Sequence, residues 1–422
     1  MKMTEATRQF IRDHPEDDPV ELLLHASRYP DVDMQTAIVQ IEARRRIKYK
    51  LPSWYRDERT IFPSTLAAEQ CSSEITAFYK QRLVQSNNWV CDLTGGLGVD
   101  TCFFARKVRR VTYVEREEEY CEAAQFNYEL QITNYGGDNL SLNIQIIQGD
   151  AVDLIIRGDK RIIGADVFYL DPSRRGAGNK RKLAISDYEP DILKLIALLP
   201  KTCRIIIKLS PMMDITLALS LIPEVREVHV VSVKNDCKEL LVVIYPAVTT
   251  ARQPSATVQQ PVDRLPAIYC INFTSTGEEQ SFRFCLQDER DAHAPLAKAT
   301  GRYLYEPNAS VLKAGAYKSV AILYEVEKLH TSSHLYTSNQ LITSFPGRIF
   351  EIIEVIPFSN RSCKTLKESI PQAHITVRNF PLSVEALRNR TRIADGGTIY
   401  LFATTLSSNQ KVLIKCVRTK IP

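Results

Sequence analysis

No apolar run in this chain approaches the roughly 18 residues of a membrane span, and the opening Met1-Lys2-Met3-Thr4-Glu5-Ala6 lacks the apolar core of a secretory leader. Both absences point to a cytoplasmic protein. Ten cysteines are present, but no two are spaced as Cys-x-x-Cys and the seven histidines do not pattern with them. That argues against a zinc site or a disulfide framework and for reduced thiols buried as small apolar residues; no metal is expected. There is no internal repeat and no low-complexity tract. With 44% hydrophobic and 24% charged residues, the 422 positions suffice for two or three globular domains, each with its own core.

Glycine is also sparse, 16 in the whole chain, so three within four positions stand out. The stretch Val90-Cys91-Asp92-Leu93-Thr94-Gly95-Gly96-Leu97-Gly98-Val99-Asp100 reads as a buried strand, a glycine turn and a helix start. Such a turn lets backbone approach a ligand closely. A dinucleotide fingerprint would need its third glycine where Thr101 stands, and a P-loop would end in Gly-Lys-Ser/Thr; neither is present. What remains is Asp92 followed at the fourth and sixth positions by Gly96 and Gly98. This resembles motif I of the class I S-adenosylmethionine-dependent methyltransferases, usually acid-x-Gly-x-Gly-x-Gly. Thr94 replaces the first glycine, as in variants found in nucleic-acid methyltransferases. A glycine turn that only packs a helix on a sheet is the alternative.

Upstream, 34–47 reads as a helix with Met34, Ala37, Ile38, Ile41 and Ala43 on one stripe. The run 48–56 interleaves lysines and Arg56 with Tyr49, Trp54 and Tyr55. It suits nucleobase stacking, but reads more readily as a helix-ending connector with a packed Trp54. Ser64 caps an expected helix over 65–83, and the polar groups of its segment 66–74 could border a cofactor pocket. Downstream, helices expected at 99–107, 116–134, 152–156 and 192–199 alternate with strands at 110–114, 143–148, 165–170 and 203–209. This is the pattern of a parallel, doubly wound α/β sheet. Strands at 227–233 and 239–245 would add an antiparallel hairpin at its edge, completing the seven-stranded Rossmann-like architecture of class I methyltransferases.

In such sheets ligands lie beyond the carboxyl ends of the strands. Glu115, 23 positions after Asp92, can accept from both ribose hydroxyls of a nucleoside. Asp150 can accept from an adenine amino group, and Asp92 can face a methionine ammonium. Together with Thr94, Gly95, Gly96 and Gly98 these are the candidate cofactor residues. Acids that merely cap the next helix are the bland alternative. After the fourth strand comes Asp171-Pro172-Ser173-Arg174-Arg175. Amino-group methyltransferases have an acid or Asn, then Pro-Pro-aromatic here; Arg174 in place of the aromatic speaks against ring stacking from this loop. Lys208-Leu209-Ser210-Pro211 after the fifth strand holds no cysteine, so covalent cysteine catalysis is not expected. Asp171 could orient or deprotonate a nucleophile for in-line transfer, which makes Asp171, Pro172 and Arg174 the candidate catalytic set. Arg175, Lys180, Arg181 and Lys182 continue a basic loop suited to a phosphodiester, or simply solvated.

Charge is uneven: residues 1–250 carry −2, residues 251–422 carry +7, and 361–422 alone carry +8. A basic domain beside a catalytic one suits a polyanion such as RNA, with Arg175, Lys180, Arg181, Arg388, Arg390 and Arg392 as candidate contacts. A Pro-rich stretch, 247–266, reads as a linker, and a mixed α+β region follows.

Taken with Pro63-Ser64-Thr65-Leu66, Glu69-Gln70-Cys71-Ser72-Ser73-Glu74, Tyr305-Glu306-Pro307-Asn308-Ala309 and Phe345-Pro346-Gly347-Arg348, these motifs resemble a bacterial class I methyltransferase family. Its C-terminal part holds a small ferredoxin-like domain and a THUMP-like domain. The resemblance spans most of the chain. It implies an N-terminal helical segment (1–62), a methyltransferase domain (63–246), a ferredoxin-like domain (267–320) and a THUMP-like basic α+β domain (321–422). It further implies S-adenosylmethionine as cofactor and tRNA or rRNA as acceptor. Methylation of a protein or small molecule, and RNA binding by a degenerate, non-catalytic fold, are the alternatives.

Overall fold

The structure, a computed structural model, describes residues 3–135, 143–174, 185, 188–245 and 266–419. Apart from Pro266, the expected linker lies outside the described residues. Two compact units result: Met1–Val225 with Leu241–Ser255, and Arg226–Leu240 with Ala256–Pro422.

The first unit is a parallel sheet flanked by helices. Strands β1 (Trp89–Asp92), β2 (Arg110–Glu115), β3 (Ile144–Gln148), β4 (Val167–Leu170) and β7 (Arg204–Leu209) run in the order β3-β2-β1-β4-β7, all pairs parallel. β1 and β4 are buried at every position, as expected where helices cover both faces. Beyond β4 a short antiparallel ribbon joins β5 (Ser173–Arg174) to β6 (Tyr188–Glu189). Three of the crossover helices start on a capping acid: Asp150 for Ala151–Ile156, Asp191 for Ile192–Leu198 and Asp214 for Ile215–Leu221. The order turns back on itself at β1, which puts the ligand crevice at the β1 and β4 carboxyl ends.

Helix Met34–Ile47 forms where its stripe indicated, with Met34, Ala37 and Ile41 packed on Phe10 and Leu22. Trp54 is fully buried among Ile47, Leu51, Phe62, Tyr113 and Tyr128, so it is a core residue and not a stacking platform. The helix expected over 65–83 is two helices, Thr65–Gln70 and Glu74–Gln81. Ser73 caps the second by accepting from the Thr76 N–H, which breaks the run at Cys71–Ser73 and turns Ser72 inward.

The second unit takes β8 (Val225–Val233) from Arg226 onward and β9 (Asp236–Ile244) as far as Leu240; the two meet at a two-residue turn with φ of 53° at Lys234 and 63° at Asn235. This hairpin is not the sheet edge expected for it. β10 (Ala267–Phe273) pairs in parallel along β8, and β11 (Glu279–Cys285) runs antiparallel to β10. A seven-stranded sheet follows: β12 (Tyr303–Pro307), β13 (Glu327–Lys328), β14 (Tyr336–Ser338), β15 (Gly347–Pro357), β16 (His374–Val377), β17 (Ile399–Thr405) and β18 (Lys411–Arg418). Its order is β13-β14-β12-β15-β18-β17-β16. Alternate residues of β17 and β18 supply two cores: Leu401, Ala403 and Leu413 pack with Leu366 and Leu387 of helices Asn360–Ser369 and Val384–Thr391, while Phe402, Val412 and Ile414 pack with Leu304 and Phe350.

Among the described residues no helix is long and apolar enough to cross a membrane, and no His/Cys/Asp/Glu group could hold a metal ion.

Candidate active site

The glycine turn closes the end of β1 by local hydrogen bonding. The Leu93 N–H donates to the Tyr169 carbonyl at 3.0 Å and the Gly95 N–H to the Val114 carbonyl at 2.9 Å, tying the turn to β4 and β2. Gly98 adopts φ 81° at the N-terminus of helix Val99–Ala105, and a Cβ there would collide with the Tyr128 hydroxyl. Both constraints admit only glycine.

Asp92, Thr94, Gly95, Gly96, Gly98, Glu115, Asp150 and Asp171 all line one cavity of about 690 Å³. That volume lies within the roughly 300–1,000 Å³ of small-molecule sites. Asp92 is 1% exposed; its Oδ1 accepts from the Thr94 N–H at 3.0 Å and its Oδ2 from the Thr101 hydroxyl at 2.7 Å. Burial pushes its pKa up to about 7, Asp100 and Asp171 add to the rise, and the two hydrogen bonds only partly offset it. Thr94 has a definite task where a glycine was expected: its hydroxyl accepts from the Asp171 N–H at 2.6 Å, joining the two loops that face the cavity. Glu115 accepts from the Gly96 N–H at 2.9 Å through Oε2, and from the Arg116 and Glu117 N–H groups through Oε1. Asp150 caps the following helix through Oδ1, at 2.9 Å from the Val152 N–H and 3.1 Å from that of Asp153. Glu115 and Asp150 thus hold backbone and line the cavity at once.

The remaining candidates are placed less centrally. Pro172 is buried outside the cavity lining, and Arg174 contributes its backbone to β5. Arg175, Lys180 and Arg181 lie outside the described residues. In the second unit, Arg388 spends its guanidinium on the Ile393 and Ala373 carbonyls and on Asp395. Arg390 donates to Asn360 and lies 5.2 Å from the Phe358 ring centre, whereas Arg392 is an exposed helix C-cap with φ 57°.

A charged network under Asp171 escaped sequence reasoning. Lys208 Nζ donates to Asp171 Oδ2 at 2.5 Å and lies 3.4 Å from Ser72 Oγ. Ser72 also accepts from Lys80 Nζ at 2.9 Å and donates to Asp100 Oδ2 at 2.7 Å. Asp100 takes a second hydrogen bond from the Tyr169 hydroxyl at 2.7 Å, and its Oδ1 lies 3.2 Å from Lys80 Nζ. Lys80 is 0% exposed, so both members of that ion pair are withdrawn from water. Burial works against the Asp100 charge, yet Lys80 and Lys208 hold its pKa below the usual carboxylate value. Two lysines and two aspartates thus neutralise each other around one serine hydroxyl. The Ser72-Ser73-Glu74 cap signal was the one sequence hint that Ser72 leaves the helix.

A parallel sheet of this order, with an acid-ended first strand, a glycine turn and a facing Asp-Pro loop, defines a Rossmann-like methyltransferase. The chain belongs to the methyltransferase family represented by a protein of Porphyromonas gingivalis W83, described from its crystal structure as a candidate methyltransferase: the two are 35% identical, each is covered over 100% of its length, and the TM-score is 0.83. Family models match residues 303–346 as a ferredoxin-like domain and 347–418 as THUMP domain-like. S-adenosylmethionine-dependent methyltransferases of Neisseria gonorrhoeae (17% identity, 42% of this chain and 76% of that one, TM-score 0.30) and Agrobacterium tumefaciens (17%, 41% and 61%, 0.29) also match, at a likeness too slight to carry argument. No curated protein matches.

Proposed function

We propose that this protein transfers a methyl group from S-adenosylmethionine to a structured RNA, tRNA or rRNA. The observation that carries the reading is that Asp171, fixed by Lys208 and Thr94, lines the same cavity as Asp92 and the glycine turn. The residues fit the cofactor: a buried carboxyl lifted to about 7, whose hydrogen bonds come from the Thr94 N–H and the Thr101 hydroxyl, suits an ammonium beside a sulfonium. Asp92 would hold the ammonium, Glu115 the ribose hydroxyls, and Asp150 the adenine amino group through its second oxygen. When bound, the cofactor supplies a methyl group made electrophilic by the sulfonium. The chain's own work is alignment: Asp171 accepts a hydrogen bond, and then the proton, from the attacking atom of the acceptor. Lys208 positions that carboxylate, and the Ser72-Lys80-Asp100 group fixes Lys208. Pro172 sets the direction of the loop, with Arg174 beside the acceptor.

RNA as acceptor is supported by the THUMP domain-like match over 347–418 and by the net +8 of residues 361–422. Arg390 and Arg392, exposed on one helix end, are better placed for phosphates than Arg388, which is consumed internally. The test is transfer of labelled methyl from S-adenosylmethionine into total RNA and total protein of a strain lacking the gene. Label in RNA supports the reading; label in protein alone replaces RNA with a protein acceptor.

A further inference from the structure

The second unit holds a group of charges that methyl transfer does not use, with Glu306 and Lys328 buried and Arg348 and Arg378 half-buried. Glu306 on β12, 2% exposed, stands opposite Arg348 of β15, which clamps its Oε2 through Nε at 2.9 Å and through Nη2. Arg378, just past β16, donates from Nη2 to Oε1 at 3.1 Å. Both carboxylate oxygens are therefore already held by guanidinium. A third cation, Lys328, is 4% exposed; its Nζ donates to the Thr331 carbonyl at 2.9 Å and lies 5.7 Å from the Tyr317 ring centre. His334 stacks on that same ring at 3.6 Å.

The loop carrying His334 is tied to the turn carrying Arg378. Asn379 Nδ2 is 3.0 Å from His330 Nδ1, the Ser333 hydroxyl donates to the Thr405 carbonyl at 2.9 Å, and the Thr405 hydroxyl donates to the Asn379 carbonyl at 2.6 Å. Lys328, Arg348 and Arg378 against Glu306 leave two positive charges over. The next acid, Glu289, accepts from the Lys318 and Ser319 N–H groups; its charge and that of Lys318, whose Nζ donates to the Arg290 carbonyl, act on Lys328 in opposite directions. Two buried atoms, Arg378 Nε and His334 Nδ1, have no hydrogen-bond partner among the described residues. Burial, with Lys328 and Arg378 nearby, depresses His334 to about 4, so its ring is neutral at pH 7 and offers an N–H.

Lys328 is withdrawn from water and needs a counter-charge, and the guanidinium forks of Arg348 and Arg378, still partly open to solvent, match tetrahedral oxyanions. We infer that Arg348, Arg378, Lys328 and His334 form a binding site for a phosphate oxyanion, supplied by the backbone of the acceptor RNA. The source of the phosphate rests on the RNA reading above; the site itself does not.

The test uses the full chain and two probes, inorganic phosphate and total tRNA. Inorganic phosphate should raise the melting temperature of the wild type and of Asp92→Ala alike, at constant ionic strength, and leave Arg378→Gln unmoved. In Arg378→Gln, tRNA affinity should fall about tenfold, and the slope of log K against log salt should shrink by roughly 0.7–0.9, one phosphate contact, with S-adenosylhomocysteine affinity unchanged. Should Arg378→Gln not fold, Lys328→Met leaves the Glu306 clamp intact and carries the same expectations. An identical phosphate response in wild type and variants overturns the site, water then being what meets the two orphan atoms. A lost phosphate response with unaltered tRNA binding overturns the phosphodiester assignment. If the wild type binds no tRNA, the RNA reading fails, and the phosphate response alone decides the site.

Discussion

Asp92 keeps a proton at pH values where an ordinary aspartate has lost it, because burial lifts it to about 7. Its value in the unfolded chain is near the ordinary 3.8, so folding favours the protonated form. That contribution to stability is intact below the unfolded value and is lost as pH rises through about 7. Asp92→Asn should therefore melt higher than the wild type at pH 8 without ligand while binding S-adenosylhomocysteine more weakly, as scanning fluorimetry and calorimetry would show. In the wild type, affinity for a cationic ligand should rise with pH through about 7, with proton release visible as a dependence of the binding heat on buffer ionisation. The network beneath makes a second residue-scale prediction. Lys80→Met strands a buried Asp100 and should cost about 3–5 kcal/mol in urea denaturation, whereas Ser72→Ala, which removes one shared hydroxyl, should cost about 1–3 kcal/mol. Asp92 and the glycines were legible in the sequence because one local turn carries them. Ser72, Lys80, Asp100 and Lys208 were not, since their meeting depends on four elements whose packing no local pattern encodes.

At the scale of elements, the glycine turn and the strand ends follow from composition: apolar runs closed by an acid, then a helix start. The helix break at Cys71–Ser73 does not, because every residue across it tolerates a helix and the decision falls to the Ser73 cap and to the pull of Ser72 toward Asp100. Ser73→Ala should cost about 1 kcal/mol and loosen the placement of Ser72, read as faster amide exchange at Glu74–Ala77. Gly98→Ala meets both a left-handed φ of 81° and the Tyr128 hydroxyl. It should lower stability by about 1–3 kcal/mol and weaken cofactor binding, since the N–H groups of the turn move with it.

At the scale of the whole molecule, parallel alternation in the first half identified the sheet, but nothing local announced that β8 is covered. Its partner β10 arrives only after the Pro-rich stretch and pairs over Glu227–Val233 with Ala267–Phe273. A chain ended after Tyr245 thus bares the edge of a strand buried over six of its nine positions. Light scattering should show self-association of that fragment where the full chain shows none under the same conditions. The basic C-terminal half was visible as charge. The clamp on its buried Glu306 was not, because Glu306, Arg348 and Arg378 come from three strands or their ends.

The central claim is that one cavity holds the methyl donor through Asp92 and its neighbours while Asp171 serves the acceptor. Its most direct measurement sets two readings on Asp171→Ala side by side: S-adenosylhomocysteine affinity by calorimetry, and labelled methyl transferred into total RNA. The account predicts affinity within about twofold of the wild type, as for a residue outside the donor's polar shell, and transfer abolished. Transfer that survives in Asp171→Ala, or donor affinity lost together with transfer, would contradict it.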